Sequence, residues 1–97
     1  MIQIIAVHMV GTEHLQHIQS LRWTTVAQPG EPSTGETKDS TREQIVAFVR
    51  GNTKGAFAMN AAGTHYAYLE VVEAEPAYAK TMPDSTKADN LLSLPRY

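Results

Sequence analysis

The sequence contains no cysteine among its 97 residues, which excludes a disulfide framework and any chemistry that needs a thiolate. Disulfides are typical of oxidising compartments, so we expect a cytoplasmic protein. No basic stretch precedes the apolar residues 1–10, which argues against a secretory signal. The same apolar run is too short to cross a bilayer, so no membrane association is expected.

Runs of like charge are also missing. Ten acidic and eight basic side chains are spread along the chain and give a net charge of -2. Proteins that bind nucleic acid through phosphate contacts usually carry a basic patch, so the composition gives that class no support. Hydrophobic residues make up 42% of the chain and charged residues 19%. These are ordinary globular values, and we expect residues 1–97 to form a single domain.

The motifs of common enzyme classes are missing as well. The six glycines form neither a phosphate-binding loop nor a dinucleotide-binding fingerprint, and no serine lies in a nucleophile elbow. Glu70, Glu73 and Glu75 could act as acids or bases, but a solvated strand edge explains them better because carboxylates are seldom buried. The sequence therefore predicts no catalytic residue and no cofactor, and it favours a protein that is not an enzyme.

Two histidines have a spacing that a metal ion could use. His14 and His17 are separated by two residues, so a helical turn would bring both to one ion. His8 is near them in sequence, and Glu13 is the only carboxylate close by. Paired histidines in a loop are more often solvated side chains without a metal. A small metal-dependent enzyme built on His14 and His17 is therefore the weakest of the functional hypotheses.

The best-defined local signal is a helix over residues 40–52. Ser40 and Glu43 have the spacing of a capping box, which contributes roughly 1 kcal/mol. Gly51 can adopt the left-handed conformation that ends a helix. One helical face is apolar, so the helix must lie on an apolar surface. That face consists of Ile45, Phe48 and Val49.

Period-two patterns predict four strands around this helix, over residues 2–10, 18–26, 55–59 and 65–73. The first strand is apolar on both faces, which is typical of a central strand covered on both sides. A turn at residues 60–64 joins the last two strands into a hairpin. In the last strand, the aliphatic face is expected to meet the apolar face of the helix. That aliphatic face consists of Ala67, Leu69 and Val71.

Two segments have no strand or helix pattern. Residues 27–39 are rich in Pro, Gly, Ser and Thr and predict a long loop, which is either functional or a simple crossover. Residues 77–88 are predicted to be irregular. The fold expected from these patterns is α+β, with a four-stranded, mainly antiparallel sheet in the order β-β-α-β-β and one helix on one face.

The last nine residues hold more apolar surface than a disordered tail normally carries. We therefore expect a C-terminal tail that packs back on the fold. A single helix covers one face of the sheet, so either this tail or a second subunit should cover the other face.

Three segments then stand in a recognisable order. They are the opening Ile-Ile-Ala-Val-His-Met with the later Ile-Gln-Ser-Leu-Arg-Trp, the helix Ser-Thr-Arg-Glu-Gln-Ile-Val-Ala-Phe-Val, and the ending Asp-Asn-Leu-Leu-Ser-Leu-Pro-Arg-Tyr. With these segments the whole chain resembles a family of small bacterial and phage proteins, domain of unknown function 3892, although residues 27–39 match least well. The resemblance implies a free-standing small cytoplasmic protein of bacterial or phage origin. It implies no activity, ligand or catalytic residue.

The functional hypothesis that follows is a non-enzymatic interaction module, which acts through protein–protein contacts or as a homo-oligomer. The alternative is a sheet that binds single-stranded nucleic acid by stacking bases on Tyr66 and Tyr68. The acidic net charge opposes that alternative. The candidate binding residues are aromatic residues of the strands and residues of the tail: Trp23, Tyr66, Tyr68, Leu91, Leu92, Leu94, Arg96 and Tyr97.

Overall fold

The computed structural model describes residues 1–11, 14–60, 62–82 and 90–97, and within them the chain forms one α-helix and six β-strands. The strands are β1 (Ile2–Met9), β2 (Ile18–Thr25), β3 (Lys38–Thr41), β4 (Ala56–Met59), β5 (Tyr66–Val72) and β6 (Tyr78–Thr81). The helix α1 (Arg42–Gly51) connects β3 to β4. Short 3-10 turns occupy Leu15–His17 and Asn90–Ser93.

The strands form one mixed sheet in the order β3-β2-β1-β4-β5-β6. Neighbouring strands are antiparallel except at the centre, where β1 runs parallel to β4 with Ile2 opposite Ala56. Parallel strands need a crossover connection, which α1 supplies. The predicted α+β class is confirmed. The prediction of four mainly antiparallel strands was wrong, because two edge strands and the parallel central pair were missed.

Both missed strands are short and lie at the edges of the sheet. β3 begins inside the predicted loop, and Ser40 pairs there with Leu21 of β2. Its four side chains are polar and mostly exposed, so no apolar alternation marks it as a strand. β6 lies in the segment that was expected to be irregular, and it has only four residues. Residues 83–88 of that segment lie outside the described residues.

A β-bulge decides which side chains of β1 face the helix. The register with β2 shifts between Ile4 and Ala6, so Ile5 is an extra residue in the strand. Because side chains alternate between faces, this insertion brings Val7 and Met9 to the same side as Ile4, where both join the core. The helix-free side of β1 carries Gln3, Ile5, Ala6 and His8. The predicted central position of β1 is confirmed, whereas the assignment of Val7 and Met9 to its second face was wrong.

The main core lies between the sheet and α1. Ile45 and Val49 are buried there with Leu69 of β5, and Phe48 and Val71 pack against the same cluster. This confirms the predicted contact between the apolar helix face and the aliphatic side of β5. Each such side chain contributes roughly 1.5 to 3 kcal/mol when fully buried.

The capping box of α1 is one residue later than the sequence indicated. Thr41 Oγ1 accepts the Gln44 amide proton at 3.2 Å, and Gln44 Oε1 accepts the Thr41 amide proton at 2.9 Å. Ser40 is part of β3 and accepts a hydrogen bond from Trp23 Nε1 at 2.9 Å. The predicted roles of Ser40 and Glu43 were wrong because the strand continues to the helix start. Gly51 is the last helical residue, and the left-handed residue of the following turn is Lys54, with φ 58°.

Thr41→Ala is expected to destabilise the protein by about 1 kcal/mol, because the Gln44 amide loses its acceptor. Hydrogen exchange of the Gln44 amide should accelerate in this variant. Ser40→Ala is the matched control, since it should leave that amide protected and instead shift the indole N–H signal of Trp23. The opposite result would contradict this assignment. If the Gln44 amide exchanges faster in Ser40→Ala and not in Thr41→Ala, Ser40 is the capping residue.

The C-terminal residues extend the centre of the sheet. The Val7 amide donates to the Pro95 carbonyl at 3.0 Å, and the Tyr97 amide donates to the Val7 carbonyl at 3.2 Å. Upstream, the buried Asn90 donates from Nδ2 to the Ala58 carbonyl at 3.0 Å. The tail thus pairs with the part of β1 that lies beyond the short strand β4.

Candidate functional site

All four tyrosines of the chain lie on the side of the sheet that α1 does not cover. Tyr66 and Tyr68 alternate along β5 with the buried Ala67 and Leu69. Tyr78 of β6 pairs with Val72 and shares the side of Tyr68 by strand alternation. Tyr97 reaches this side from the tail. We call the surface formed by Tyr66, Tyr68, Tyr78 and Tyr97 the tyrosine face.

An aromatic cluster occupies one part of the tyrosine face. Phe57 of β4 lies opposite Tyr68, and its ring centroid is 5.8 Å from that of Tyr66. Tyr66 and Tyr68 are 5.5 Å apart in an edge-to-face arrangement, which stabilises aromatic pairs beyond the area they bury. Phe57 is 0% exposed, whereas Tyr66 is 45% exposed. The cluster therefore combines a small second core with one accessible ring.

The two phenols of this cluster are also linked through their hydroxyl groups. The hydrogen bond with Tyr66 raises the pKa of the Tyr68 phenol above its usual value, and desolvation acts in the same direction. The Tyr68 phenol therefore remains neutral at physiological pH.

Tyr97 is fixed over the other half of the face. Its hydroxyl forms a hydrogen bond with Ser20 Oγ at 2.9 Å, and its main-chain oxygen is 2.5 Å from His8 Nδ1. The Arg22 guanidinium carbon lies 4.1 Å from the centre of the Tyr97 ring, which is cation–π geometry. These contacts hold the tail side chain against β1 and β2.

The charges of the tyrosine face are largely neutralised in pairs. Arg22 Nε donates to Asp39 Oδ1 at 2.8 Å, and this hydrogen bond lowers the pKa of Asp39 and raises that of Arg22. Lys80 Nζ lies 3.3 Å from Glu70 Oε1. Lys54 Nζ lies 5.8 Å from the centre of the Tyr68 ring. In the described part of the chain, the face therefore carries little net charge.

The candidate binding residues from the sequence do not all come together. Tyr66, Tyr68 and Tyr97 share the tyrosine face, but Trp23 lies on the opposite side of the sheet, against α1. Strand alternation accounts for this separation, because Arg22 and its neighbour Trp23 point to opposite faces.

The tail leucines serve the fold more than a surface. Leu91 is 0% exposed within the main core, and Leu94 packs against that core. Arg96 donates to the carbonyls of Leu92, at 2.9 Å, and Leu94, so its guanidinium stabilises the end of the 3-10 turn. The unaccounted apolar surface expected of the tail is therefore mostly buried within the chain.

Three contributors to the tyrosine face were not predicted from the sequence, namely Phe57, Arg22 and Tyr78. Phe57 could have been found from the hairpin around residues 60–64, because antiparallel pairing places it beside the tyrosines of β5. Arg22 could not have been found from the sequence, because its contact with Tyr97 depends on where the tail docks. Tyr78 was missed because β6 was not recognised.

The histidine pair does come close in space. The rings of His14 and His17 have centroids 5.7 Å apart in an edge-to-face arrangement. A structural or catalytic zinc site takes three or four protein ligands, and no group of three suitable side chains occurs in the described ranges. Glu13, the nearby carboxylate in the sequence, lies outside the described residues.

A separate cavity of about 420 Å³ adjoins the start of α1. Arg42 borders it, with one terminal nitrogen donating to the Gln16 carbonyl at 2.7 Å and the other donating to Glu43 at 3.1 Å. Its Nε is buried and has no hydrogen-bond partner in the described part of the chain. The guanidinium thus ties the turn before β2 to the helix start, and its charge is already offset by Glu43.

A family model described as "Protein of unknown function (DUF3892)" matches residues 3–95. This confirms the resemblance carried by the opening strand, the helix start and the closing segment; the bacterial or phage origin stays a prediction. Comparisons with curated proteins and with solved structures found no match. None of the helices in the described ranges is long and apolar enough to cross a membrane.

Proposed function

We propose that this chain, which belongs to the DUF3892 family of proteins of unknown function, is a non-enzymatic interaction module that associates with a second copy of itself through the tyrosine face. The observation that carries the proposal is the placement of all four tyrosines on the one side of the sheet without a helix. Tyrosine is enriched at protein interfaces, because its rigid ring gives much contact area with few torsions to restrict.

The size of the face suits such an interface. The molecule has extents of 34 × 26 × 25 Å, so one flat side offers on the order of 800 Å², the area that each partner buries in a standard interface. The accessible Tyr66 ring rests on the buried Phe57, and this support fixes the ring before association. Anchors that are rigid in the free protein lose less entropy on binding.

The charge pattern favours a second copy over other occupants. A face with a strong net charge would repel an identical face, whereas here the Arg22–Asp39 and Lys80–Glu70 pairs neutralise each other within the chain. Charge complementarity of the kind that selects a different partner is correspondingly weak. Apart from Lys54, the charged side chains named on the face are paired, so two identical faces meet little electrostatic repulsion.

Single-stranded nucleic acid fits the same surface less well. Tyr66 offers a ring for base stacking, and Lys54 adds a cation beside Tyr68. Phosphate binding needs several uncompensated cations, and Arg22 and Lys80 are each paired with a carboxylate. Nucleic-acid binding is therefore an alternative outcome of the test.

Tyr66→Ala is expected to weaken self-association at least tenfold, because an interface anchor contributes about 2 kcal/mol or more. Light scattering coupled to size exclusion should show the mass of the wild type rising with concentration from the 10.7 kDa of one chain towards twice that value. The control is Val10→Ala, since Val10 is 54% exposed but lies beside the cavity at the start of α1. It should associate like the wild type.

Two results would overturn the proposal. The first is a wild type that remains monomeric up to millimolar concentration. The second is equal association of the wild type and Tyr66→Ala. Fluorescence anisotropy with short single-stranded DNA and RNA at low salt covers the alternative, because binding that Tyr66→Ala abolishes would assign the face to nucleic acid.

A further inference from the structure

The helix is narrower than the sheet on which it lies. Six strands spaced about 4.8 Å apart give a sheet roughly 24 Å wide, while an α-helix with its side chains is about 10 Å across. α1 therefore does not cover the outer strands, and a crevice lies on each of its flanks. On the flank towards β3, the crevice is a cleft between the sheet and the helix.

We call this flank the Trp23 cleft. It has a volume of about 220 Å³, and it lies on the opposite side of the sheet from the tyrosine face. Its lining combines four apolar and two uncharged polar side chains: Ile2, Trp23, Ile45, Phe48, Ser40 and Gln44. Dry apolar cavities of about 150 Å³ accept a benzene ring, so the cleft has room for one aromatic ring and a small substituent.

Both polar groups of the cleft are available as donors. Ser40 Oγ accepts the Trp23 indole proton, which leaves the hydroxyl proton of Ser40 free to donate. Gln44 Oε1 accepts the Thr41 amide proton, so the remaining function of that side chain is the Nε2 amide, a donor. The hydrogen bonds that fix Trp23 and Gln44 also preform the cleft.

We propose that the Trp23 cleft binds a small uncharged aromatic molecule that bears a hydrogen-bond-accepting oxygen. The apolar walls match the ring, and the Ser40 hydroxyl and Gln44 amide match the oxygen. Among the described residues, no acidic or basic side chain lines the cleft, so an ionic ligand would be desolvated without a partner. This arrangement of mostly apolar walls with a few placed polar groups is typical of ligand sites.

Acetophenone is the probe that tests this proposal, and ethylbenzene is its control because it has the same shape without the oxygen. Trp23 is the only tryptophan of the chain, so the protein gives a single indole N–H cross-peak in a ¹H–¹⁵N spectrum. Acetophenone should move this peak saturably at millimolar concentration. Ethylbenzene should bind roughly three- to tenfold more weakly, since it lacks one hydrogen bond.

Gln44→Glu removes the amide donor of the cleft without removing the helix cap. Glutamate at this position keeps the oxygen that caps Thr41 but replaces the amide donor with a second acceptor, so affinity for acetophenone should fall towards that for ethylbenzene, with the Ser40 hydroxyl as the remaining donor. Val71→Ala, in the crevice on the other flank of α1, should leave both affinities unchanged. The proposal fails if acetophenone does not move the indole peak, or if the wild type binds ethylbenzene as tightly.

Discussion

Replacing Leu91 with alanine is expected to lower the free energy of unfolding by about 2–5 kcal/mol. Leu91 is 0% exposed and belongs to the same core cluster as Ile45 and Leu69, so truncation leaves a cavity where the tail joins helix and sheet. Domains of this size are typically stable by roughly 5–15 kcal/mol. The loss should lower the melting temperature by roughly 10–30 °C, which calorimetry or urea unfolding measures.

Leu92→Ala is the matched control for this effect. It removes the same atoms from the neighbouring residue, whose side chain is only partly buried, so the loss should be clearly smaller. Equal effects of the two substitutions would contradict the account. They would mean that the tail does not depend on the insertion of Leu91 into the core.

Phe57→Ala is expected to cost about 3–5 kcal/mol, although Phe57 faces away from the helix. Its ring is 0% exposed beneath the tyrosines of β5, and the substitution also removes the edge-to-face contact with Tyr66. The helix-free side of the sheet therefore has a core of its own. Urea unfolding measures this loss.

Phe48→Ala provides the comparison on the helix side. Phe48 is only partly buried against the main core, so its truncation should destabilise the fold less than Phe57→Ala does. The reverse order would show that the aromatic cluster is peripheral. In that case Phe57 would not hold the Tyr66 ring in place, and the proposed interface depends on that support.

Local patterns predicted much of the fold. The strands β1, β2 and β5, the helix and the hairpin before β5 all follow from hydrophobic periodicity and turn residues, which act over a few positions. The parallel pairing of β1 with β4 could not be found in this way. It joins residues more than fifty positions apart through a crossover, and no local signal specifies it.

The bulge in β1 shows how one residue can mislead a face assignment. Strict alternation places Ile5 and Val7 on one side, whereas the insertion at Ile5 returns Val7 to the core. The helix-free face of β1 is therefore less apolar than the sequence suggested, because Val7 belongs to the core on the helix side. The position of a bulge depends on how the strand pairs with its neighbour, so it cannot be predicted from the sequence of β1 alone.

The candidate site was predictable only in part. Tyr66 and Tyr68 share a face by alternation, and the sequence identified that pair. Their association with Tyr97 depends on the docking of the tail against Val7, and with Tyr78 on the unrecognised strand β6. Trp23 was grouped with them because it is aromatic, but the sheet separates it from them and gives it a different environment.

The central claim is that two copies meet through the tyrosine face, and isotope-filtered nuclear Overhauser spectroscopy tests it most directly. A mixture of ¹³C-labelled and unlabelled protein reports only contacts between chains. The account predicts intermolecular cross-peaks from the ring protons of Tyr66 and Tyr68. Intermolecular cross-peaks confined to α1 or to the Trp23 cleft, with none from these rings, would contradict it.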